Sequence, residues 1–261
     1  MLPKINVLGF EVAMYGLMIV LGLVAGILVA LARAKSTGFK KEDLVFASLY
    51  GAIGTVAGAK LLYLLTVLRF VTDNFYMIIK DRELMSQLIS GGFIFYGGVI
   101  GGVSAIFIYC RRYRRLDFLP LIDALIPSVP LAHAFGRLGC FFAGCCYGIE
   151  HYGPLGMYFD KSPFAPHGIP LFPVQLVEAA CNFAIFMFLI LIARRARGKG
   201  ALLGCYLMSY TIARFILEYF RWDEYRGFLF GLSTSQWISI ILFIAGMILI
   251  DPARKRRTGE M

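Results

Sequence analysis

The chain alternates long apolar runs with short polar turns. Runs at roughly 10–32, 44–69, 91–110, 117–139, 173–194, 202–221 and 236–251 each approach the roughly 20 residues that carry an α-helix across the hydrocarbon core of a bilayer. The pattern predicts an all-α membrane protein with seven transmembrane helices, folded as a single integral membrane domain over residues 1–261. Met1-Leu2-Pro3-Lys4 leads into an apolar stretch too long for the h-region of a cleaved signal peptide, so that stretch is read as the first span. Two connections stand out. Residues 70–90 mix Asp73, Lys80, Asp81, Arg82 and Glu83 with Phe75, Met77, Ile78 and Ile79, the composition of an interfacial amphipathic helix. Residues 140–172 are rich in Gly, Pro and aromatics and are expected to form a small ordered outer cap, since a connection this long is usually functional. No internal repeat or disordered linker is visible, and the short basic tail after Asp251 is expected near the inner lipid surface.

Composition supports the membrane reading. The 261 residues are 59% hydrophobic and 16% charged, against about a quarter charged in a soluble domain. The net charge of +10 raises nucleic acid as a partner, but its placement argues against one. Four clusters (Arg33, Lys35, Lys40, Lys41; Arg111, Arg112, Arg114, Arg115; Arg194, Arg195, Arg197, Lys199; Arg254, Lys255, Arg256, Arg257) hold 16 of the 26 basic residues. Short basic loops are retained in the cytoplasm. With every cluster inside, the spans alternate without contradiction, the N-terminus lies outside and the C-terminus lies in the cytoplasm, which requires an odd number of spans. Small residues recur at helix-packing spacing in Gly54-Thr55-Val56-Ala57-Gly58 and at Gly97, Gly98, Gly101 and Gly102. Close helix approach is the first reading, and room for a lipid chain is the functional one.

Ionisable groups at membrane depth cost roughly 2.5–3.5 kcal/mol each on insertion scales and call for a reason. The topology places Glu11, Tyr15, Lys60, Tyr63, Tyr96, His133, Arg137, Gln175, Glu178, Arg214, Glu218, Arg221 and Gln236 toward the outer side, with Asp123 the exception in the inner half of span four. Snorkelling covers Glu11, Arg221 and Gln236. Arg137 and Arg214 need a buried partner or an anion. Arg214, Glu218 and Arg221 share a helix face at i, i+4 and i+7. Glu218 neutralises one arginine and leaves cationic charge to be matched. Two arginines and a lysine suit a phospholipid phosphate, which guanidinium grips with a bidentate fork. No arginine repeat at three-residue spacing marks a voltage sensor, while a transporter pathway is a competing use of intramembrane charge.

The segment Gly136-Arg137-Leu138-Gly139-Cys140-Phe141-Phe142-Ala143-Gly144 resembles the signature of the prolipoprotein diacylglyceryl transferases, glycine-arginine-x-glycine-asparagine-phenylalanine. Similar matches follow in order. They are Tyr15-Gly16-Leu17-Met18, Gly58-Ala59-Lys60-Leu61-Leu62-Tyr63, Gly91-Gly92-Phe93-Ile94-Phe95-Tyr96-Gly97-Gly98, Pro173-Val174-Gln175-Leu176-Val177-Glu178, Arg214 to Arg221, and Leu232-Ser233-Thr234-Ser235-Gln236. The resemblance spans nearly the whole chain. It implies a multi-pass protein of the bacterial cytoplasmic (inner) membrane that moves the diacylglyceryl group of phosphatidylglycerol to the lipobox cysteine of a prolipoprotein. A thioether forms, glycerol phosphate leaves, and neither metal nor other cofactor takes part. It also implies Arg137, Arg214 and Tyr96 as catalytic residues, with Tyr96 standing where some members have a histidine. Arg137, Tyr15, Lys60, Glu218, Arg221, Gln175, Gly98 and Gly139 are then expected to bind substrate.

The chain departs from the family pattern around the signature. Cys140 stands for the asparagine, Ala143 for a second asparagine and Cys145 for a glutamate, with Cys146 following; Leu171-Phe172 stand where an arginine-histidine pair is usual. Cysteines on the outer side usually pair, so a disulfide of Cys140 with Cys145 or Cys146 is the first expectation. A redox or acceptor role is the second. A metal site with His133 or His151 comes last, because the spacing fits no standard zinc pattern. Cys110, Cys181 and Cys205 fall in spans as packing residues. Two other functions remain open on these departures: a divergent homologue with another acceptor, or a cysteine-bearing membrane redox or lipid-binding protein of the same fold.

Overall fold

The computed structural model describes residues 3–7, 10–196, 198–222 and 227–250. In chain order its helices are α1 (Met14–Thr37), α2 (Lys41–Thr66), α3 (Leu68–Asp73), α4 (Phe75–Lys80), α5 (Arg82–Ser90), α6 (Phe95–Ile108), α7 (Phe118–Leu125), α8 (Ser128–Ala143), α9 (Val174–Ile192), α10 (Ala201–Leu217) and α11 (Thr234–Ile250). A π-helical turn, Tyr109–Arg114, continues α6, and a 3-10 turn, Glu218–Phe220, continues α10. Three antiparallel hairpins add β1 (Lys4–Val7) with β2 (Phe10–Ala13), β3 (Met157–Tyr158) with β4 (Pro170–Leu171), and β5 (Phe228–Leu229) with β6 (Leu232–Ser233).

The protein is mostly helical, but its helices do not map one-to-one onto seven straight spans. Among the described residues, α1, α2, α9 and α10 with its 3-10 turn are long and apolar enough to cross a bilayer, and α7 with α8 makes a fifth as a broken span. The seventh run, α11, is a shorter apolar helix. The first run begins as strand β2, so Glu11 lies on a hairpin, where it pairs with Lys4 at 2.7 Å. The fourth run bends by 47° between α7 and α8. Pro127 and Pro130 explain the break, because each lacks the N–H that would continue the helical ladder and its ring crowds the preceding turn. The 70–90 segment folds as three short helices, broken at Asn74 and Asp81. Asp81 caps α5 by accepting from the N–H groups of Glu83 (2.9 Å) and Leu84 (3.2 Å). Arg197 and the tail from Asp251 onward, with its basic cluster, lie outside the described residues.

The chain forms two compact units, Gly38–Leu121 and Met1–Thr37 with Ile122–Met261. In the first, α2 packs along α6. A Cβ on Gly58 would strike the carbonyl of Gly97, and one on Gly101 would strike that of Gly54. Bare backbone therefore sets the approach of the two helices, as in small-residue packing of membrane helices. Gly58→Val is expected to separate them and to cost about 1–3 kcal/mol or more through overpacking. The check is thermal unfolding in detergent, with membrane insertion monitored in parallel. At the other end of this unit, Asp43 holds Arg114 at 2.7 Å and accepts from the Tyr109 hydroxyl at 3.1 Å.

In the second unit α1 packs on α8, α8 on α9, and α10 on both α9 and α11. Asp123 has a structural use. Its carboxylate accepts from the N–H of Gly200 at 2.7 Å and of Leu203 at 2.9 Å, capping the N-terminus of α10 from another helix. Arg33 answers at the end of α7 by donating to the Ala124 carbonyl at 2.7 Å. The connection that follows α8 packs around Phe159, Ala165 and Leu171, with Phe141, Tyr147, Ile169 and Trp222 against them. Ser162 ties it together. Its hydroxyl donates to the Gly144 carbonyl at 2.8 Å and accepts from the N–H groups of Phe164 and Ala165, each at 3.0 Å.

Candidate active site

Two helices of the second unit and the residue just past the 3-10 turn after α10 each bring a charge to one buried network. Glu178, on the first turns of α9, is only 2% exposed in its side chain. A carboxylate in that position needs cationic partners, because its desolvation is otherwise uncompensated. It has two. Nη2 of Arg137, on α8, forms an ion pair with Oε1 at 2.9 Å, and Nη1 of Arg221 approaches Oε2 at 3.5 Å. Arg221 is buried and Arg137 nearly so, at 5% and 16% exposure. Below Glu178 on the same helix face, Asn182 donates to its backbone carbonyl at 2.8 Å.

A second ion pair lies on α10. Arg214 meets Glu218 at 2.7 Å across one helical turn, with both side chains buried. Ser233 Oγ donates to the other Glu218 oxygen at 2.7 Å, and Arg214 Nη2 donates to Ser235 Oγ at 3.2 Å. Ser233 is itself held by Gln236, whose Oε1 accepts from the Ser233 N–H at 2.9 Å. His133 lies beside the first pair: its Nε2 accepts from Arg137 Nε at 3.3 Å, so the imidazole is neutral in this contact. The five charged side chains comprise three guanidinium groups and two carboxylates. Gln175 Oε1 and Gln236 Nε2 are buried without a hydrogen-bond partner among the described residues, and such orphaned polar atoms are uncommon enough in folded proteins to call for an explanation.

The structure brings together Arg137, Arg214, Glu218, Arg221 and Gln175 among the residues expected from sequence. Gly139 lies at the crossing of α8 with α1, where an added Cβ would come within 3.2 Å of Tyr15 Cδ2 and of Met18 Cβ. Tyr15 itself is substantially exposed. Lys60, Tyr96 and Gly98 belong to the Gly38–Leu121 unit. Lys60 has structural work there, donating to the carbonyls of Leu88 (2.7 Å) and Gly91 (2.6 Å) at the end of α5 and lying over the rings of Tyr63 and Phe93. Gly98 packs on Thr55 of α2, so in this structure its missing side chain serves helix packing. Tyr96 is half-exposed on the first turn of α6, edge-on to Phe95. Glu178 and His133 were visible in sequence as polar residues at membrane depth. The bridge that Glu178 makes between Arg137 and Arg221 was not, because a pairing between distant segments leaves no spacing pattern.

Cys140, Cys145 and Cys146, expected as a possible disulfide group, are free cysteines in this structure with their sulfurs within 4.8 Å of one another. Neither His133 nor His151 belongs to this group.

The fold is mostly helical, with several helices long and apolar enough to cross a membrane and a buried arginine–carboxylate network among them. Comparison with known proteins is specific. The family model described as prolipoprotein diacylglyceryl transferase matches residues 3–251, and the chain belongs to that family. A phosphatidylglycerol–prolipoprotein diacylglyceryl transferase of Clostridium tetani is 36% identical over 249 residues, 95% of this chain and 96% of the relative. A protein of Clostridium perfringens named phosphatidylglycerol–prolipoprotein diacylglyceryl transferase 2 is 34% identical over 98% of this chain and 97% of its own length. One of the same name as the first, from Clostridioides difficile, is 30% identical over 92% and 90%.

Proposed function

We propose that the chain transfers the diacylglyceryl group of phosphatidylglycerol to a cysteine thiol of a prolipoprotein, in the cytoplasmic membrane of a bacterium. The thiol gives its proton to water, and the sulfur attacks the glycerol carbon that bears the phosphate. A carbon–sulfur bond forms as the carbon–oxygen bond breaks, and the electron pair leaves on the oxygen of glycerol phosphate. The main barrier terms are making the thiolate, whose unperturbed pKa is about 8.5, and stabilising charge on the departing phosphate.

The observation that carries this reading is the buried bridge of Arg137 and Arg221 through Glu178, beside the Arg214–Glu218 pair. Arg137 and Arg214 receive the phosphate, which a guanidinium grips with its planar fork. Glu178 and Glu218 hold the guanidinium groups in place before lipid arrives, so little reorganisation accompanies charge development. Gln175 and Gln236 offer their unpartnered amide atoms to the polar headgroup. Tyr96 keeps its sequence-based assignment to the acceptor thiol or the headgroup. Seven membrane crossings, with the N-terminus outside and the C-terminus in the cytoplasm, follow from the alternating basic clusters; α6 with its π turn and α11 supply the two shorter ones.

The test is genetic. In a bacterium whose own transferase is switched off, expression of this chain is expected to restore lipidation of a reporter lipoprotein. An inserted, abundant protein that restores none contradicts the reading.

A further inference from the structure

Cys140, Cys145 and Cys146 are not used by the phosphate site, yet the fold gathers them deliberately. Cys140 is buried on the last turn of α8. The helix stops at Gly144, which takes the left-handed conformation at φ +73°, and the chain doubles back so that the Cys145 N–H donates to the Cys140 carbonyl at 3.1 Å. Cys146 is itself left-handed at φ +57°, a conformation that costs a residue other than glycine and is kept where the surroundings enforce it. They do: Gln175, fully buried on α9, donates to the Cys145 carbonyl at 2.8 Å, and the following Gly148 N–H is tied to the Phe172 carbonyl at 3.0 Å. The outcome is three sulfurs within 4.8 Å of one another, from a buried, an intermediate and an exposed residue.

We propose that these three cysteines bind one zinc ion as thiolates and leave its fourth position to an incoming thiol. Zinc holds sulfur at about 2.3 Å in tetrahedral array, which puts the sulfurs about 3.8 Å apart, so closure asks for shifts of no more than about 1 Å. A divalent ion on three thiolates carries one negative charge, and a neutral thiol can still enter its open position. Gln175 supplies the outer hold on a ligand's backbone that metal sites commonly need. Three protein ligands and one open position is the arrangement of a reactive zinc centre, whereas a structural one is closed by four. A thiol that enters gives its proton to water and binds as thiolate. Resting on the transferase reading, this zinc holds the acceptor cysteine: its sulfur forms the bond to the glycerol carbon, the electron pair of the broken carbon–oxygen bond leaves on phosphate, and the thioether, a much weaker donor, departs from the metal.

The test uses the full-length protein in detergent, fully reduced and with its thiols counted before metal is added. Zinc titration is expected to give one ion per chain, and cobalt a thiolate-to-metal charge-transfer band. Cys145→Ser and Cys146→Ser, which keep the side-chain shape, are each expected to abolish both, while Cys181→Ser changes neither. Adding a lipobox peptide is expected to shift the cobalt spectrum, and its serine counterpart is not. No bound metal with all three thiols reduced, or re-formation of a disulfide in preference to binding, overturns the site. Bound cobalt that ignores the cysteine peptide overturns the open fourth position. Because no lipid is present, these readings are independent of whether transfer occurs.

Discussion

Replacing Arg137 with alanine is expected to lower diacylglyceryl transfer by about a hundred- to a thousand-fold or more, the scale on which enzymes lose rate when one preorganised donor to a developing charge is removed. Arg214→Ala is expected to do the same. Each guanidinium is held by a buried carboxylate, Glu178 at 2.9 Å and Glu218 at 2.7 Å, and is therefore in position before the phosphate begins to leave. Lysine at either position keeps the charge but not the planar fork, so both lysine variants are expected to fall between wild type and alanine. The check is the initial rate of lipobox-peptide lipidation on protein shown to be inserted and folded. Near-normal transfer in either alanine variant removes that arginine from the phosphate.

Glu178→Ala is expected to strike stability before activity. Removing the shared carboxylate takes from Arg137 and Arg221 a partner buried to 2% exposure. Breaking a buried pair in this way costs about 3–5 kcal/mol, a large share of the roughly 5–15 kcal/mol that holds a typical domain folded. The expected observation is a clear fall in melting temperature in detergent, with reduced yield from membranes. Glu178→Gln keeps the volume and one acceptor oxygen and is expected to lose less. A Glu178→Ala protein as stable as wild type would mean that the bridge does not organise the network.

Much of the fold was legible because membrane helices write themselves as apolar runs. Helices α1, α2, α9 and α10 lie where the runs predicted, with ends shifted by a few residues. The misses have physical causes. Hydropathy measures partitioning and carries no information on backbone direction, so it could not show that 117–139 is broken; Pro127 and Pro130 were the available signal. The first run was placed too early because Phe10–Ala13 is as apolar as a helix start but pairs with Lys4–Val7 as a hairpin, and four residues are too few for periodicity to decide. The third run becomes helical only at Phe95, the start of α6, after Gly92, which is left-handed at φ +67° and lies where any Cβ would enter the ring of Tyr63.

The candidate site was legible by residue type and not by connection. Arg137, Arg214 and Glu218 drew notice because charge at membrane depth needs a reason. The i, i+4 spacing even gave the Arg214–Glu218 pair, since neighbours on one helix are encoded locally. Glu178 bridging Arg137 and Arg221 is tertiary information, and one sequence does not carry it. Asp123 and Lys60 show the converse. Both were singled out as charges in the membrane, and both are engaged by backbone, Asp123 at the start of α10 and Lys60 at the end of α5. The cysteines fit no zinc spacing in sequence because Gly144 and Cys146 fold a short stretch back on itself, which brings together sulfurs that a regular turn would separate.

The most direct measurement is transfer itself. The purified protein is incubated with phosphatidylglycerol and a lipobox peptide, and the products are read by mass spectrometry. The expected result is a diacylglyceryl thioether on the peptide cysteine, with one glycerol phosphate released per adduct and both products lost in Arg137→Ala. A folded protein that yields no adduct, on a peptide that an active family member modifies under the same conditions, would contradict it.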